Sequence, residues 1–163
     1  MNINLKQLTE ENLISLYSDV TKELKSKGIV KTKNIVGDLG ETLAKRHYCT
    51  NPNFPNLTDE KIGAKNIDAR DVNDKTYSIK STSTKTTGVF RGLPPKDSPE
   101  EGPKLFDYAV ICKFDDNLSL EAIYQLTWEK FRENKHWQSR VKAWYLIINR
   151  KLIQDAVTIY RRE

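Results

Sequence analysis

The sequence has 163 residues with 27 Lys and Arg against 22 Asp and Glu, so its formal net charge is +5 and its isoelectric point is about 9.1. This length predicts one domain with its own hydrophobic core. The basic balance suits a nucleic-acid partner, although many soluble proteins without such a partner are as basic. There is no apolar run long enough to cross a membrane, no hydrophobic signal core, and only two distant cysteines, Cys49 and Cys112. These features argue against a membrane protein, a disulfide framework and a zinc site, and they favour a cytoplasmic protein.

The first predicted element is an amphipathic helix from Glu10 to Ser26. Thr9 is placed to cap it, and Gly28 follows its last turn as a stop signal. An apolar stripe at helical spacing consists of Leu13, Leu16, Tyr17, Val20 and Leu24. The stripe predicts that this helix packs on the core, with a seam between two copies of the chain as the alternative.

A second amphipathic helix is predicted from Asn34 to Tyr48. Its apolar arc consists of Leu39, Gly40, Leu43, Ala44 and Tyr48. Glu41 lies at the border of this arc, so its carboxylate is expected to reach a cleft while its neighbours pack on a sheet. Gly40 is expected to let another part of the backbone come close. The alternative for Glu41 is a solvated acid near the positive end of the helix dipole.

Residues 67–81 predict a β-hairpin with one apolar and one polar face. Alternation places four residues on the apolar face, namely Ile67, Ala69, Tyr77 and Ile79. It places three on the polar face, namely Asp68, Ser78 and Lys80. We expect the first face to cover the core and the second to line a cleft, with an ordinary hairpin facing water as the alternative. This register requires an odd-length connection within Val72 to Lys75, where Asn73 and Asp74 tolerate left-handed backbone.

Further elements are predicted on both sides of the hairpin. The segment from Thr50 to Thr58 has the composition of a loop. Strands are predicted near Ile62 and at Asn66–Asp71, Thr76–Thr82, Phe106–Phe114, Leu118–Gln125 and Tyr145–Ile148, and a short helix is predicted at Trp128–Glu133. Together these elements indicate one domain over residues 1–163, with an N-terminal helix at about 10–27 and a long loop at about 82–105.

The long loop is too irregular for a simple connector, because Ser81 to Lys104 contains four prolines and three glycines. Since it leaves directly from the strand that carries Lys80, we expect it to emerge at the cleft and to contact phosphates or base edges. The predicted DNA contacts are Lys65, Ser81, Thr82, Ser83, Lys85 and Arg91. The alternative is a linker without contacts.

A helix glutamate, a strand aspartate and a polar-x-Lys strand follow one another here as Glu41, Asp68, Ser78 and Lys80. This order resembles the PD-(D/E)XK nuclease superfamily. The segments GDLGE (37–41), IDARD (67–71), YSIKS (77–81) and FDYAV (106–110) are similar to a group of small restriction-endonuclease-like domains. The resemblance covers roughly residues 16–131 and implies an α/β fold with a mixed central sheet flanked by helices.

The resemblance also implies a function, namely a magnesium-dependent DNA endonuclease of restriction or phage-defence type, with Mn²⁺ able to substitute. Glu41, Asp68 and the backbone carbonyl of Ile79 would bind the metal, and Lys80 would position or activate the attacking water. Ser78 stands where such proteins usually carry Glu, Asp or Gln, so the metal would have two carboxylates instead of three. Symmetric cleavage of both strands would require a homodimer.

Two alternatives remain open at this point. The first is a catalytically inactive DNA-binding module that kept the fold and lost a metal ligand at Ser78. The second is a nuclease that acts on RNA or on repair intermediates. The sequence contains no signal that identifies a recognition site.

Overall fold

The computed structural model describes residues 3–60 and 66–163 and has a mixed α/β fold, which confirms the predicted fold class. A short 3-10 helix covers Leu5–Gln7. The α-helices are α1 (Glu10–Ser26), α2 (Ile35–Thr50), α3 (Trp128–Asn134) and α4 (Arg150–Asp155). The strands are β1 (Leu57–Asp59), β2 (Ala69–Asp71), β3 (Thr76–Thr82), β4 (Tyr108–Phe114), β5 (Leu120–Thr127), β6 (Lys135–Gln138), β7 (Ala143–Leu146) and β8 (Val157–Arg161).

The central sheet has six strands in the order β1-β2-β3-β4-β5-β8. Strands β3 and β4 run parallel, and the other neighbouring pairs described in this sheet are antiparallel. Strands β6 and β7 form a separate two-stranded sheet. None of the helices in the described residues has the length and apolarity needed to cross a membrane.

One face of the central sheet is covered by α2. Ala44 and Tyr48 of this helix pack against Tyr77 and Ile79 of β3 in a cluster of buried side chains. The apolar arc predicted for the second helix is therefore the face that contacts the sheet. This arrangement fixes the direction in which the polar border of α2 points.

The opposite face of the central sheet is covered as well. Phe131 of α3 and Leu146 of β7 pack there with Phe90 and with Ile111 of β4. Phe90 belongs to the segment after β3, and its N–H donates to the carbonyl of Trp144 at 2.6 Å. The first part of the long loop is thus held against β7 by backbone hydrogen bonds.

The hairpin of β2 and β3 has the predicted register. Ala69 pairs with Tyr77, and the N–H of Asp71 donates to the carbonyl of Lys75 at 3.0 Å, which leaves three residues between Asp71 and Lys75. Asp74, the last of these three, has the left-handed backbone that was predicted, with a φ of 60°. The odd-length connection is confirmed, and it places Asp68 opposite Ser78.

Helix α1 has its predicted bounds, but the prediction that it packs on the core is wrong. Its cap is as predicted, since the N–H of Asn12 donates to Oγ1 of Thr9 at 3.2 Å. No residue of α1 is buried. In the apolar stripe, Leu16 and Leu24 are half-buried, whereas Leu13, Tyr17 and Val20 are exposed. Most of the stripe is therefore uncovered within the described residues.

The predictions differ from the structure mainly at short elements. Strand β1 occupies Leu57–Asp59, which overlaps the predicted loop, and β2 begins only at Ala69. Strand β7 overlaps the predicted strand at Tyr145–Ile148, whereas β6, α4 and β8 were not predicted. The strand expected near Ile62 lies outside the described residues.

Candidate functional site

The candidate site lies at the sheet edge where β2 separates from β3. Asp68 directly precedes β2, and its N–H donates to the carbonyl of Tyr77 at 2.8 Å. Its carboxylate Oδ2 accepts the N–H of Ile79 at 2.7 Å, so a side chain replaces the strand partner at this position. Because the N–H and the carbonyl of a strand residue point to the same edge, the carbonyl of Ile79 lies on the side of Asp68. A carboxylate and a backbone carbonyl therefore share this edge.

Glu41 reaches the same region from α2. Its side chain is half-buried, and burial raises the pKa of its carboxyl group. The negative charge of Asp68 raises this pKa further, while the charges of Lys45 and Lys31 lower it. Mutual repulsion of this kind is expected where two carboxylates share one site. Glu41 and Asp68 are thus near enough to repel each other electrostatically, and we call them the acid pair.

Gly40 determines how closely α2 approaches β3. A Cβ atom added at Gly40 would lie 2.8 Å from the Cβ of Ser81, which is shorter than real Cβ contacts. The Sγ of Cys112 donates to the carbonyl of Gly40 at 3.4 Å, and burial raises the pKa of this thiol to about 12. The close approach at Gly40 is made by the side chains of Ser81 and Cys112, where backbone was expected from the sequence, and it places the next residue, Glu41, near the edge of the sheet.

Asp38 has a structural role at the start of α2. Its Oδ2 accepts the backbone N–H groups of Lys31 at 2.8 Å and Thr32 at 2.6 Å. Burial alone would raise the pKa of Asp38, but the hydrogen bonds from Thr32 and Lys31 leave it lowered. The ionised carboxylate therefore fixes the segment that carries Lys31.

Lys31 and Lys45 act electrostatically on Glu41, and neither was assigned to the site from the sequence. Nζ of Lys31 lies 3.8 Å from Oδ2 of Asp59 in β1, and Lys45 of α2 is paired with the same carboxylate. The charges of both lysines also act on Glu41. The signal available in the sequence was the position of Lys45, four residues after Glu41 on the same side of the helix.

Lys80 lies on the face of the sheet opposite α2. Its register partner is Ile111, which belongs to the cluster on that face. The Nζ of Lys80 lies 5.5 Å from the centre of the Phe90 ring, a cation–π distance. The predicted alternation is correct, but in the described chain Lys80 makes no hydrogen bond or ion pair with Glu41 or Asp68.

Ser78 does not line an open cleft. Its side chain is fully buried, and its Oγ has no hydrogen-bond partner among the described residues. The expectation of an open polar face fails at Ser78 because the side of β3 that carries this residue is covered by the second cluster of buried side chains. The hydroxyl is therefore enclosed by protein.

The hydroxyls of Ser81 and Thr82, the first two predicted DNA contacts after Lys80, are buried inside the protein. The Oγ of Ser81 is buried against α2, beside the thiol of Cys112. The Oγ1 of Thr82 donates to the carbonyl of Thr86 at 2.7 Å, and Thr82 is buried. Neither hydroxyl is exposed, so the structure does not favour a phosphate contact through the hydroxyl of Ser81 or Thr82.

The remaining predicted DNA contacts differ in their accessibility. The carbonyl of Ser83 accepts a hydrogen bond from Nζ of Lys113 at 3.1 Å, and the residue is half-buried. Lys85 and Arg91 are exposed, as a contact with DNA requires. Lys65 lies outside the described residues.

The oxygen atoms at the candidate site suit the expected metal ion. Within residues 3–60 and 66–163, no three His, Cys, Asp or Glu side chains form a group that would hold a metal. The two carboxylates of Glu41 and Asp68 and the carbonyl of Ile79 are hard oxygen donors. They fit Mg²⁺, which is often bound by one or two carboxylates and completes its shell with waters and substrate phosphate oxygens.

Comparison with known proteins adds no assignment to this geometry. No protein-family model matches the chain, and no curated protein matches it.

Proposed function

We propose that this protein is a magnesium-dependent DNA endonuclease that hydrolyses phosphodiester bonds, of restriction or phage-defence type. The observation that carries the proposal is the acid pair of Glu41 and Asp68 beside the backbone of Ile79. An acid on a helix and an acid at a sheet edge, followed by a strand lysine, also form the order of residues that resembles the PD-(D/E)XK superfamily.

Each residue of the site has an assigned part in the reaction. The N–H of Ile79 orients the carboxylate of Asp68, and Glu41 completes the pair from α2. A divalent cation bound by this pair would make an attacking water more acidic and neutralise the charge of the leaving oxygen. Lys80 lies on the face of the sheet opposite α2, but it is one residue from Ile79 and its side chain is long and flexible. We assign it to the electrostatic stabilisation of the phosphate.

The test is the incubation of purified protein with plasmid and phage DNA, including modified phage DNA, in Mg²⁺, Mn²⁺ or EDTA. We expect cleavage with either metal ion and none with EDTA. Asp68→Ala and Glu41→Gln should each abolish cleavage, and Lys80→Ala should reduce it by about 10²-fold or more, as the loss of one transition-state contact does.

Matched substitutions provide the controls for this test. Asp116→Ala and Lys6→Ala remove an exposed acid and an exposed lysine that lie outside the site and form no ion pair in the described chain. Both control variants should cleave DNA as the parent does. Equal cleavage by the parent, Asp68→Ala and Lys80→Ala would contradict the assignment.

One observation favours an alternative function, a DNA-binding module without catalysis. Ser78 stands where a third acid is usual, and because it is buried it cannot serve as a metal ligand in place of that acid. This alternative predicts equal DNA affinity with and without Mg²⁺ and no cleavage at any metal concentration. Cleavage assays on duplex, nicked, branched and RNA substrates distinguish the proposed DNA endonuclease from a nuclease that acts on RNA or on repair intermediates.

A further inference from the structure

The C-terminal quarter of the chain carries an unusual concentration of positive charge. Residues 135–154 contain no Asp or Glu. The basic residues of this stretch are Lys135, Arg140, Lys142, Arg150 and Lys151. Their summed charge of +5 equals the net charge of the whole protein, so the other residues are neutral in sum.

The stretch begins with the two-stranded sheet of β6 and β7, which we call the ribbon (Lys135–Leu146). Its connecting turn is formed by residues 139–142, in which Arg140 and Lys142 are exposed. Neither side chain makes an ion pair or a hydrogen bond with any described residue. Cations that no acid neutralises, placed on an exposed turn, produce a field that attracts a polyanion.

The outer face of the ribbon carries side chains that bind base edges in other proteins. His136 and Tyr145 are register partners whose ring centres lie 5.8 Å apart, and Gln138 follows on the same face. His136 and Gln138 are exposed. A glutamine amide pairs with adenine through two hydrogen bonds, and the major groove of B-DNA accepts a two-stranded β-ribbon.

The inner face of the ribbon is held against the body of the protein. Nε1 of Trp144 donates to the carbonyl of Pro94 at 2.8 Å, and Leu146 is fully buried. The N–H of Phe90 donates to the carbonyl of Trp144, and the ring of Phe90 lies below Nζ of Lys80. The ribbon is thus attached to the segment that supports Lys80, on the same face of the central sheet.

We infer that the ribbon is the surface that enters the major groove of duplex DNA and holds it against the Lys80 side of the candidate site. Arg140 and Lys142 contact phosphates on the two sides of the groove, and Gln138 contacts base edges. This inference rests on the proposed function for the identity of the nucleic acid. B-form DNA is favoured over duplex RNA, because the major groove of A-form RNA is too narrow for a ribbon.

The inference is tested by binding, separately from cleavage. The unaltered full chain and its Arg140→Ala/Lys142→Ala variant are titrated with a fluorescent DNA duplex of mixed sequence in EDTA at several salt concentrations. We expect the variant to bind at least about tenfold more weakly, with a salt slope smaller by about 2, because each lost phosphate contact releases about 0.9 fewer counterions. Gln138→Ala should keep most of the affinity and lose discrimination between duplexes of different sequence.

A matched control separates local from general charge effects. Lys6→Ala/Lys25→Ala removes two exposed lysines from the N-terminal region and changes the net charge equally. An equal loss of affinity in the two double variants, or no loss in either, would overturn the inference and leave the proposed function standing. If the unaltered chain neither binds nor cleaves DNA, the proposed function fails as well. A duplex RNA of the same length should bind more weakly than the DNA, and tighter binding of RNA would contradict the groove assignment.

Discussion

At the scale of single residues, the site is defined by two carboxylates that raise each other's energy in the absence of a cation. Burial and the charge of Asp68 both raise the pKa of Glu41. The native state therefore binds a proton at Glu41 more tightly than the unfolded chain does. Between the unfolded and the folded pKa, this group makes the protein less stable as the pH rises, because the unfolded state gives up its proton first.

Glu41→Gln should therefore raise the melting temperature near neutral pH, where the parent carries a destabilising charge. A gain of 1 kcal/mol corresponds to about 2–4 °C for a chain of this size. The advantage over the parent should shrink as the pH falls below the folded pKa of Glu41, because the parent then becomes neutral as well. Thermal unfolding followed by circular dichroism at several pH values measures this difference in melting temperature.

Glu11→Gln is the control for this prediction, because Glu11 is an exposed acid of α1 without an ion pair in the described chain. It should melt as the parent does at every pH. A lower melting temperature for Glu41→Gln than for the parent at neutral pH would contradict the repulsion between the two acids.

Asp71 illustrates how a residue next to the site can have a purely structural role. Its Oδ1 accepts the N–H groups of Asn73 at 2.8 Å and Lys75 at 3.0 Å, and its Oδ2 accepts the hydroxyl of Tyr77 at 2.9 Å. Because it lies an odd number of residues from Asp68, it points to the other side of the strand. Its three hydrogen bonds fix the hairpin turn and leave it no part in the acid pair.

At the scale of secondary-structure elements, the contact between α2 and β3 determines whether Glu41 reaches the sheet edge. Gly40→Ala should destabilise the protein by about 1–3 kcal/mol, the usual effect of overpacking, because the new methyl group meets Cβ of Ser81 at 2.8 Å. Urea unfolding measures the loss. Cleavage should fall as well, since any shift of α2 moves Glu41.

Gly88→Ala is the matched control, because an added Cβ there meets nothing within 4 Å. It should change stability much less than Gly40→Ala. Equal effects of the two substitutions would show that α2 does not depend on the close contact at Gly40.

Long elements with clear end signals were predictable from the sequence. The capping residue Thr9, the stop signal at Gly28 and the alternation within Thr76–Thr82 gave the bounds of α1 and β3 correctly. The register of the hairpin followed from the requirement that Asp68 and Ser78 share a face. These features depend on neighbours in the chain, so local patterns report them.

Features that depend on distant contacts were not predictable. Ser78 is buried because Phe90 and β7 cover its face, and no local pattern reports a cover formed by residues so far along the chain. Strands β6 and β8 and helix α4 are short, and they owe their stability to pairing and packing rather than to propensity. Glu41 and Asp68 were predicted together as metal ligands, and alternation placed Lys80 correctly. Only the structure revealed that α2, which carries Glu41, covers the face opposite Lys80.

At the scale of the whole molecule, the mostly uncovered stripe of α1 leads us to predict a contact with a second copy of the chain. An isolated helix of 17 residues is only marginally stable in water, and α1 buries no side chain. An antiparallel pair of α1 helices would cover the stripe of both copies. This arrangement would also supply the two sites needed to cut both strands.

The dimer is tested by placing charges in the centre of the stripe. Tyr17→Lys/Val20→Lys should convert a dimer into a monomer, as measured by sedimentation or light scattering, because two lysines per copy would meet across the seam. Ser15→Lys, on the opposite side of the helix, should remain dimeric. A monomeric parent protein would contradict the seam and leave the packing of α1 without this explanation.

Joint binding of one divalent cation by Glu41 and Asp68 can be measured with Mn²⁺, through the electron-paramagnetic-resonance signal of the free ion. We expect one ion per chain in the parent and in Glu11→Gln, with binding weakened about tenfold or more in Glu41→Gln and in Asp68→Asn. The parent should also bind more weakly as the pH falls, because protonation of Glu41 competes with the metal. Binding of Mn²⁺ by both site variants with the affinity of the parent would contradict the account.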